Sequence, residues 1–119
     1  MLPDDFAKQF ATEWISAWNA HDLDAILSHY VDDFEMSSPV MVQMGVSPSG
    51  RLQGKPAVRA YWQKALQLIP DLQFELVSVL SGVESVTLYY KGARGRLAAE
   101  VFFVNSTGKV THAFAHYAG

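Results

Sequence analysis

Apolar residues recur every fourth position in the first part of the chain and every second position in the last part. Phe6, Phe10, Trp14 and Trp18, flanked by Ala7, Ala11 and Ala17, form a stripe at helical spacing from Pro3 to about Asn19. Pro3 followed by Asp4 and Asp5 suits a helix start, since proline needs no amide partner there and carboxylates favour the positive end of the dipole. Asn19 suits a left-handed stop. Asp22 reads as the N-cap of a second helix, with Leu23, Ile26, Leu27 and Tyr30 on one face and an end near Asp32. The sequence then breaks at Asp32-Asp33 into an extended run, Phe34-Glu35-Met36.

From Ser37 to Gly54 no period holds, and prolines and glycines alternate with Val40, Met41, Val42, Met44 and Val46. So many apolar residues in an irregular segment imply that it covers something apolar, as a lid does. Pro56 opens a third helix with Val58, Tyr61, Trp62, Ala65, Leu66 and Ile69 on one face, and Pro70 ends it. After that the period becomes two. Strands are predicted from Leu72 to about Leu80, Val86 to Lys91, Arg96 to Val104 and Lys109 to Ala118, with hairpin compositions between them. Helices followed by an antiparallel meander define an α+β chain with helices on one sheet face.

The last two long strands are apolar on both faces, Ala98, Phe102 and Val104 alternating with Ala99, Val101 and Phe103. A second copy packed through the sheet, a homodimer, is the expected cover for the face the helices leave open.

At 119 residues the chain reads as one domain, 1–119, able to hold a single core. Half of its residues are hydrophobic and 13% aromatic, a surplus that must go into a pocket or an interface. There is no cysteine, which removes disulfides, thiolate metal sites and a cysteine nucleophile. A formal net charge of −3 with no basic block argues against nucleic-acid and anionic-membrane partners. The N-terminus carries acid where a signal peptide needs base, and no run approaches the ~20 apolar residues of a membrane span, so a cytoplasmic protein is expected.

Four histidines raise the question of a metal. His112 and His116 share one face of a strand, but four residues at ~3.3 Å each hold them about 13 Å apart, too far for one ion. His21 falls in the turn between helices and His29 near a helix surface, so neither metal nor cofactor is expected. Asp32 and Asp33 read as carboxylates solvating a corner. Glu100 differs from all of these, as a single carboxylate in a strand of Ala, Val and Phe. Facing a pocket, it would be desolvated, its pKa raised, and it would act as general acid or base. The competing reading is an edge charge in water, or a partner of Arg94 or Arg96.

The run AWNAHDLDAILSHYVDDFEM, a proline soon after, then GKPAVRAYWQKAL and a strand ending FFVNSTGKV resemble the nuclear-transport-factor-2-like superfamily, in particular its SnoaL-like and ketosteroid-isomerase-like members. The resemblance covers nearly the whole chain. It implies a cone-shaped fold, three N-terminal helices on a curved antiparallel sheet enclosing an apolar pocket, with activities ranging from isomerases and cyclases to no catalysis. An isomerase of this kind needs a carboxylate base after the second helix and an oxyanion hole of a tyrosine and a neutral acid. Aligned through AWNAHDLD, this chain has Ser38 at the base position and Trp14 at the tyrosine position, and only the acid survives, as Glu100. Steroid isomerisation is therefore not expected.

The resemblance implies instead an apolar or aromatic small-molecule ligand and an isomerase- or polyketide-cyclase-like reaction at Glu100. Trp14, Tyr30, Met36, Ser38, Trp62, Phe102 and Tyr117 are the expected substrate-binding residues. The alternative is a non-catalytic binding or association domain of the same fold.

Overall fold

A computed structural model describes all 119 residues. The first helix, α1, spans Phe6–Asn19 and buries Ala7, Phe10, Ala11, Trp14, Ala17 and Trp18, the stripe read from the spacing. Pro3 to Asp5 precede it, and the Asp5 side chain makes no cap hydrogen bond. The left-handed residue of the following turn is His21, at φ 56°, rather than Asn19. Asn19 is still helical, and its amide is occupied elsewhere: Oδ1 accepts from the Phe74 amide at 2.6 Å and Nδ2 donates to the Phe74 carbonyl at 3.0 Å.

Asp22 caps the short helix α2, Leu23–Leu27, accepting from the Ala25 amide at 3.1 Å. That helix stops five residues earlier than the apolar spacing suggests, because Tyr30 already belongs to strand β1, Tyr30–Ser37. Asp32 and Asp33 therefore lie within a strand, exposed, where the register slips between Tyr30 and Glu35. A bulge there lets two consecutive carboxylates face water without turning Phe34 out of the core.

The segment expected to be irregular contains helix α3, Pro39–Gln43, capped by Ser38, and strand β2, Arg51–Gln53. It is anchored by Met41, which is fully buried, and by Ser47, whose hydroxyl donates to the Arg51 carbonyl at 2.8 Å. Gly50 is held at φ +74°, where an added Cβ would stand 3.1 Å from the Ser38 carbonyl oxygen.

Helix α4, Lys55–Leu68, buries Val58, Tyr61 and Trp62, and the meander follows as β3 (Glu75–Ser81), β4 (Ser85–Lys91), β5 (Leu97–Val104) and β6 (Val110–Tyr117). Strand β3 begins three residues after Leu72, since Leu72 and Phe74 turn inward first.

The open sheet runs β2-β1-β6-β5-β4-β3. It is mixed rather than wholly antiparallel, because β1 lies parallel to β6. Register shifts in the β1–β6, β3–β4 and β5–β6 pairs bend it around the helices. On the inner face one core of 24 residues forms, centred on the aromatic side chains of α1, β1 and β5. The outer face carries Phe103, 44% exposed, edge-on to Phe114 at 5.8 Å, with the exposed His112 ring stacked on Phe114. No helix is long and apolar enough to cross a membrane.

Candidate functional site

A cavity of about 350 Å³ lies among α1, α4, β4 and β5, each of which contributes residues to its lining. Its floor is Trp14 and Glu100, its walls include Trp18, Met36, Trp62, Phe74, Tyr90 and Tyr117, and α3 contributes Val40 and Gln43 to its cover. The exposed lining residues Gln43, Arg94 and Arg96 place the mouth beside the turn between β4 and β5.

Strand alternation puts Glu100 here. Ala98, Glu100, Phe102 and Val104 point inward together, and all four are buried. Glu100 Oε1 accepts a hydrogen bond from the Tyr90 hydroxyl at 3.2 Å, while Oε2 is buried with no partner in the chain. No arginine pairs with the carboxyl: the ion pairs are Lys55–Asp32, Arg59–Asp24 and Lys91–Glu75. Burial pushes its pKa up to about 7, and the Tyr90 hydrogen bond pulls the other way.

Four tyrosines surround this carboxyl. Tyr30, Tyr61, Tyr90 and Tyr117 all have raised pKa values, first through burial and then through the nearby Glu100 charge, so each is a neutral hydroxyl donor at ordinary pH. The Ser38 hydroxyl partly offsets the effect on Tyr61 and Tyr117. A second polar atom in the lining, Trp18 Nε1, is also buried without a partner. Two residues of the lining thus carry a buried polar atom, a carboxyl oxygen and an indole N–H, that no group of the chain satisfies. Such sparse, convergent polar atoms in an apolar cavity are what small-molecule sites use to orient a ligand.

Of the residues singled out from the sequence, Glu100, Trp14, Met36, Trp62 and Tyr117 line the cavity, whereas Tyr30, Ser38 and Phe102 stand behind it. Tyr30 accepts from Trp14 Nε1 at 3.0 Å and packs on Phe34 and Trp62. Phe102 is wedged edge-on between Phe10 and Trp14. The Ser38 hydroxyl accepts from the Val40 amide at the start of α3. Sequence reasoning missed Tyr90, Tyr61, Trp18 and the two arginines. Tyr90 was within reach of it, since Leu88 pairs with Glu100 and Tyr90 is therefore its diagonal neighbour across the hairpin. No three histidine or acidic side chains come together as metal ligands would.

The pattern of the SnoaL-like domain matches residues 11–116. The chain belongs to the SnoaL-like family. A SnoaL-like protein of unknown function from Burkholderia thailandensis E264 is 61% identical over 98% of each chain, with a TM-score of 0.94. At lower identity the likeness is one of fold alone. The epoxide hydrolase/cyclase-like enzyme SalBIII of salinomycin pyran-ring formation superposes with a TM-score of 0.79 at 18% identity, over 99% of this chain and 95% of its own. A candidate polyketide cyclase from Sinorhizobium meliloti does so at 0.74 and 16%, over 97% and 95%. No functionally curated protein matches the sequence. The NTF2-like architecture of this SnoaL-like domain is shared by enzymes of several chemistries, so what this domain does must be argued from its own side chains.

Proposed function

We propose that this SnoaL-like protein binds an apolar or aromatic small molecule in the cavity and acts on it by cofactor-free acid–base catalysis at Glu100, as an isomerase or a polyketide-cyclase-like enzyme. The observation that carries this reading is Glu100 itself, buried on the cavity floor with Oε2 free and a pKa of about 7. A carboxyl poised near neutrality can both take and return a proton. Oε2 would accept the proton of a carbon next to a carbonyl, and a tyrosine hydroxyl or Trp18 Nε1 would hydrogen-bond the enolate oxygen that forms. Return of the same proton to a different carbon completes an isomerisation. Attack of the carbanion on a second carbonyl of the substrate closes a ring instead, and the proton goes to the new alkoxide.

A second reading, binding without turnover, has its own support. The site offers one titratable carboxyl, and the residues at the isomerase base and tyrosine positions are committed to the fold, Ser38 to a helix cap and Trp14 to Tyr30. Native mass spectrometry of the purified protein, followed by identification of any co-purified molecule and its incubation with enzyme in D₂O, separates the two. Deuterium uptake or conversion by the wild type, reduced by about 10²-fold or more in Glu100→Gln, is expected. Undiminished turnover in Glu100→Gln removes that residue from catalysis, and a bound molecule that neither exchanges nor converts leaves the binding module.

A further inference from the structure

The charged residues of the cavity lining are Glu100 on the floor and Arg94 and Arg96 at the mouth. Neither arginine forms an ion pair. Arg96 donates through Nε to the Ala118 carbonyl at 2.9 Å and lies over the Tyr117 ring at 5.0 Å, which holds the guanidinium at the rim with its terminal nitrogens unbonded. Arg94 makes no side-chain hydrogen bond, and it occupies a left-handed backbone position, φ 57° and ψ 27°, within the 3-10 turn Ala93–Gly95. Glycine and asparagine adopt that conformation more readily than arginine does. A cation where glycine or asparagine fits better, at the mouth of a cavity in a chain of net charge −3, points to a negative partner.

From this we infer that the ligand bears an oxyanion on a flat apolar body, held at the mouth by Arg94 and Arg96 while its far end meets the free Glu100 oxygen. The inference rests on the cavity being the binding site, and it adds the class of molecule. Arg96 and Glu100 are four residues apart on one line of chain, roughly 13 Å at ~3.3 Å per residue, and the two side chains shorten that gap. A skeleton of about two fused rings suits a cavity of about 350 Å³. The aromatic walls suit a planar skeleton, and guanidinium groups suit a carboxylate or sulfonate in a fork of parallel hydrogen bonds.

Two fluorescent probes that share one skeleton test this on the full-length protein: 1-anilinonaphthalene-8-sulfonate and N-phenyl-1-naphthylamine, which lacks the sulfonate. Wild type is expected to bind the sulfonate about tenfold more tightly than the neutral probe, with the preference falling as salt rises. The double substitution Arg94→Gln, Arg96→Gln should weaken the sulfonate about tenfold and leave the neutral probe within about twofold, while Arg94→Lys, Arg96→Lys keeps part of the preference. Sulfonate affinity unmoved by the glutamine pair overturns the inference, as does equal weakening of both probes, which would make the arginines shapers of the cavity only. If the neutral probe binds and the sulfonate does not, the anion is wrong and the apolar pocket stands. Binding of neither probe overturns both.

Discussion

Tyr90 and Glu100 face each other diagonally across the β4–β5 hairpin, and the phenol donates to Oε1 at 3.2 Å. This is the one hydrogen bond the buried carboxyl receives, and it favours the charged form against the burial that opposes it. Tyr90→Phe keeps the ring and removes the donor, so the Glu100 pKa should rise further above 7. In a pH profile of kcat/KM, where the carboxylate is the active form, the wild-type midpoint is expected near pH 7 and the Tyr90→Phe midpoint at higher pH. A midpoint unmoved or lowered would mean that Tyr90 does not set the carboxyl's ionisation.

The same carboxyl links stability to pH. Its folded pKa of about 7 lies above the ordinary 4.5, so the native state holds a proton the unfolded chain releases. Stabilisation from this group is complete below pH 4.5, falls as pH rises between the two values, and is gone above about 7. Its size is about 3 kcal/mol, since a tenfold change in proton affinity is worth roughly 1.4 kcal/mol. Urea unfolding of wild type and Glu100→Gln should show the difference between them change by this amount from pH 4.5 to 8. Parallel curves would place the carboxyl in water.

Much of the fold was legible because the local signals agree with one another. The α1 stripe, the Asp22 cap and the β4–β5 and β5–β6 hairpins follow from spacing and turn residues that tertiary packing had no reason to override. The failures sit where distant chain decides. Tyr30 reads as a fourth helical position after Leu27, but its backbone is claimed by β6, pairing with Val110 in a parallel register no local pattern announces. Strand β2 is three residues long, and α3 rests on its cap and on burial of Met41. For the site, alternation sets Glu100 on the face of Ala98, Phe102 and Val104, but with both faces of the strand apolar it leaves open which one turns inward, and the family resemblance favours the pocket. Arg94 and Arg96 beside glycines look like any exposed hairpin until helix α4 and the Tyr117 ring are set next to them.

Tyr30 and Tyr117 separate support of the site from contact with its ligand. Trp14 Nε1 is buried and donates to the Tyr30 hydroxyl, so Tyr30→Phe strands an indole donor and should cost about 2 kcal/mol of stability. Binding of N-phenyl-1-naphthylamine should change little, because Tyr30 is off the lining. Tyr117→Phe, on the lining and half-buried, should do the reverse, with stability nearly kept and affinity altered. Equal effects of the two variants on binding would mean that the Trp14 ring moves when its partner is lost.

Asn19 governs the shape of the cavity from outside it. Both ends of its amide bind the Phe74 backbone, at 2.6 and 3.0 Å, fastening the last turn of α1 to the chain just before β3. Phe74 in turn stacks on Trp14 at 5.6 Å and packs on Trp18 and Tyr90, all four lining the cavity. Asn19→Ala removes an acceptor and a donor from partly buried backbone groups and should destabilise the protein by about 2 kcal/mol. Asn19→Asp keeps the acceptor for the Phe74 amide but sets a carboxylate oxygen against the Phe74 carbonyl and at the negative end of α1, so it should cost at least as much. Because β3 is an edge strand, the loss should be local as well as global: amide exchange at Phe74 and along Glu75–Ser81 is expected to quicken more than exchange in β5 and β6. Exchange that quickens uniformly across the sheet would show that the clamp stabilises the whole fold without fixing the Phe74 wall in particular.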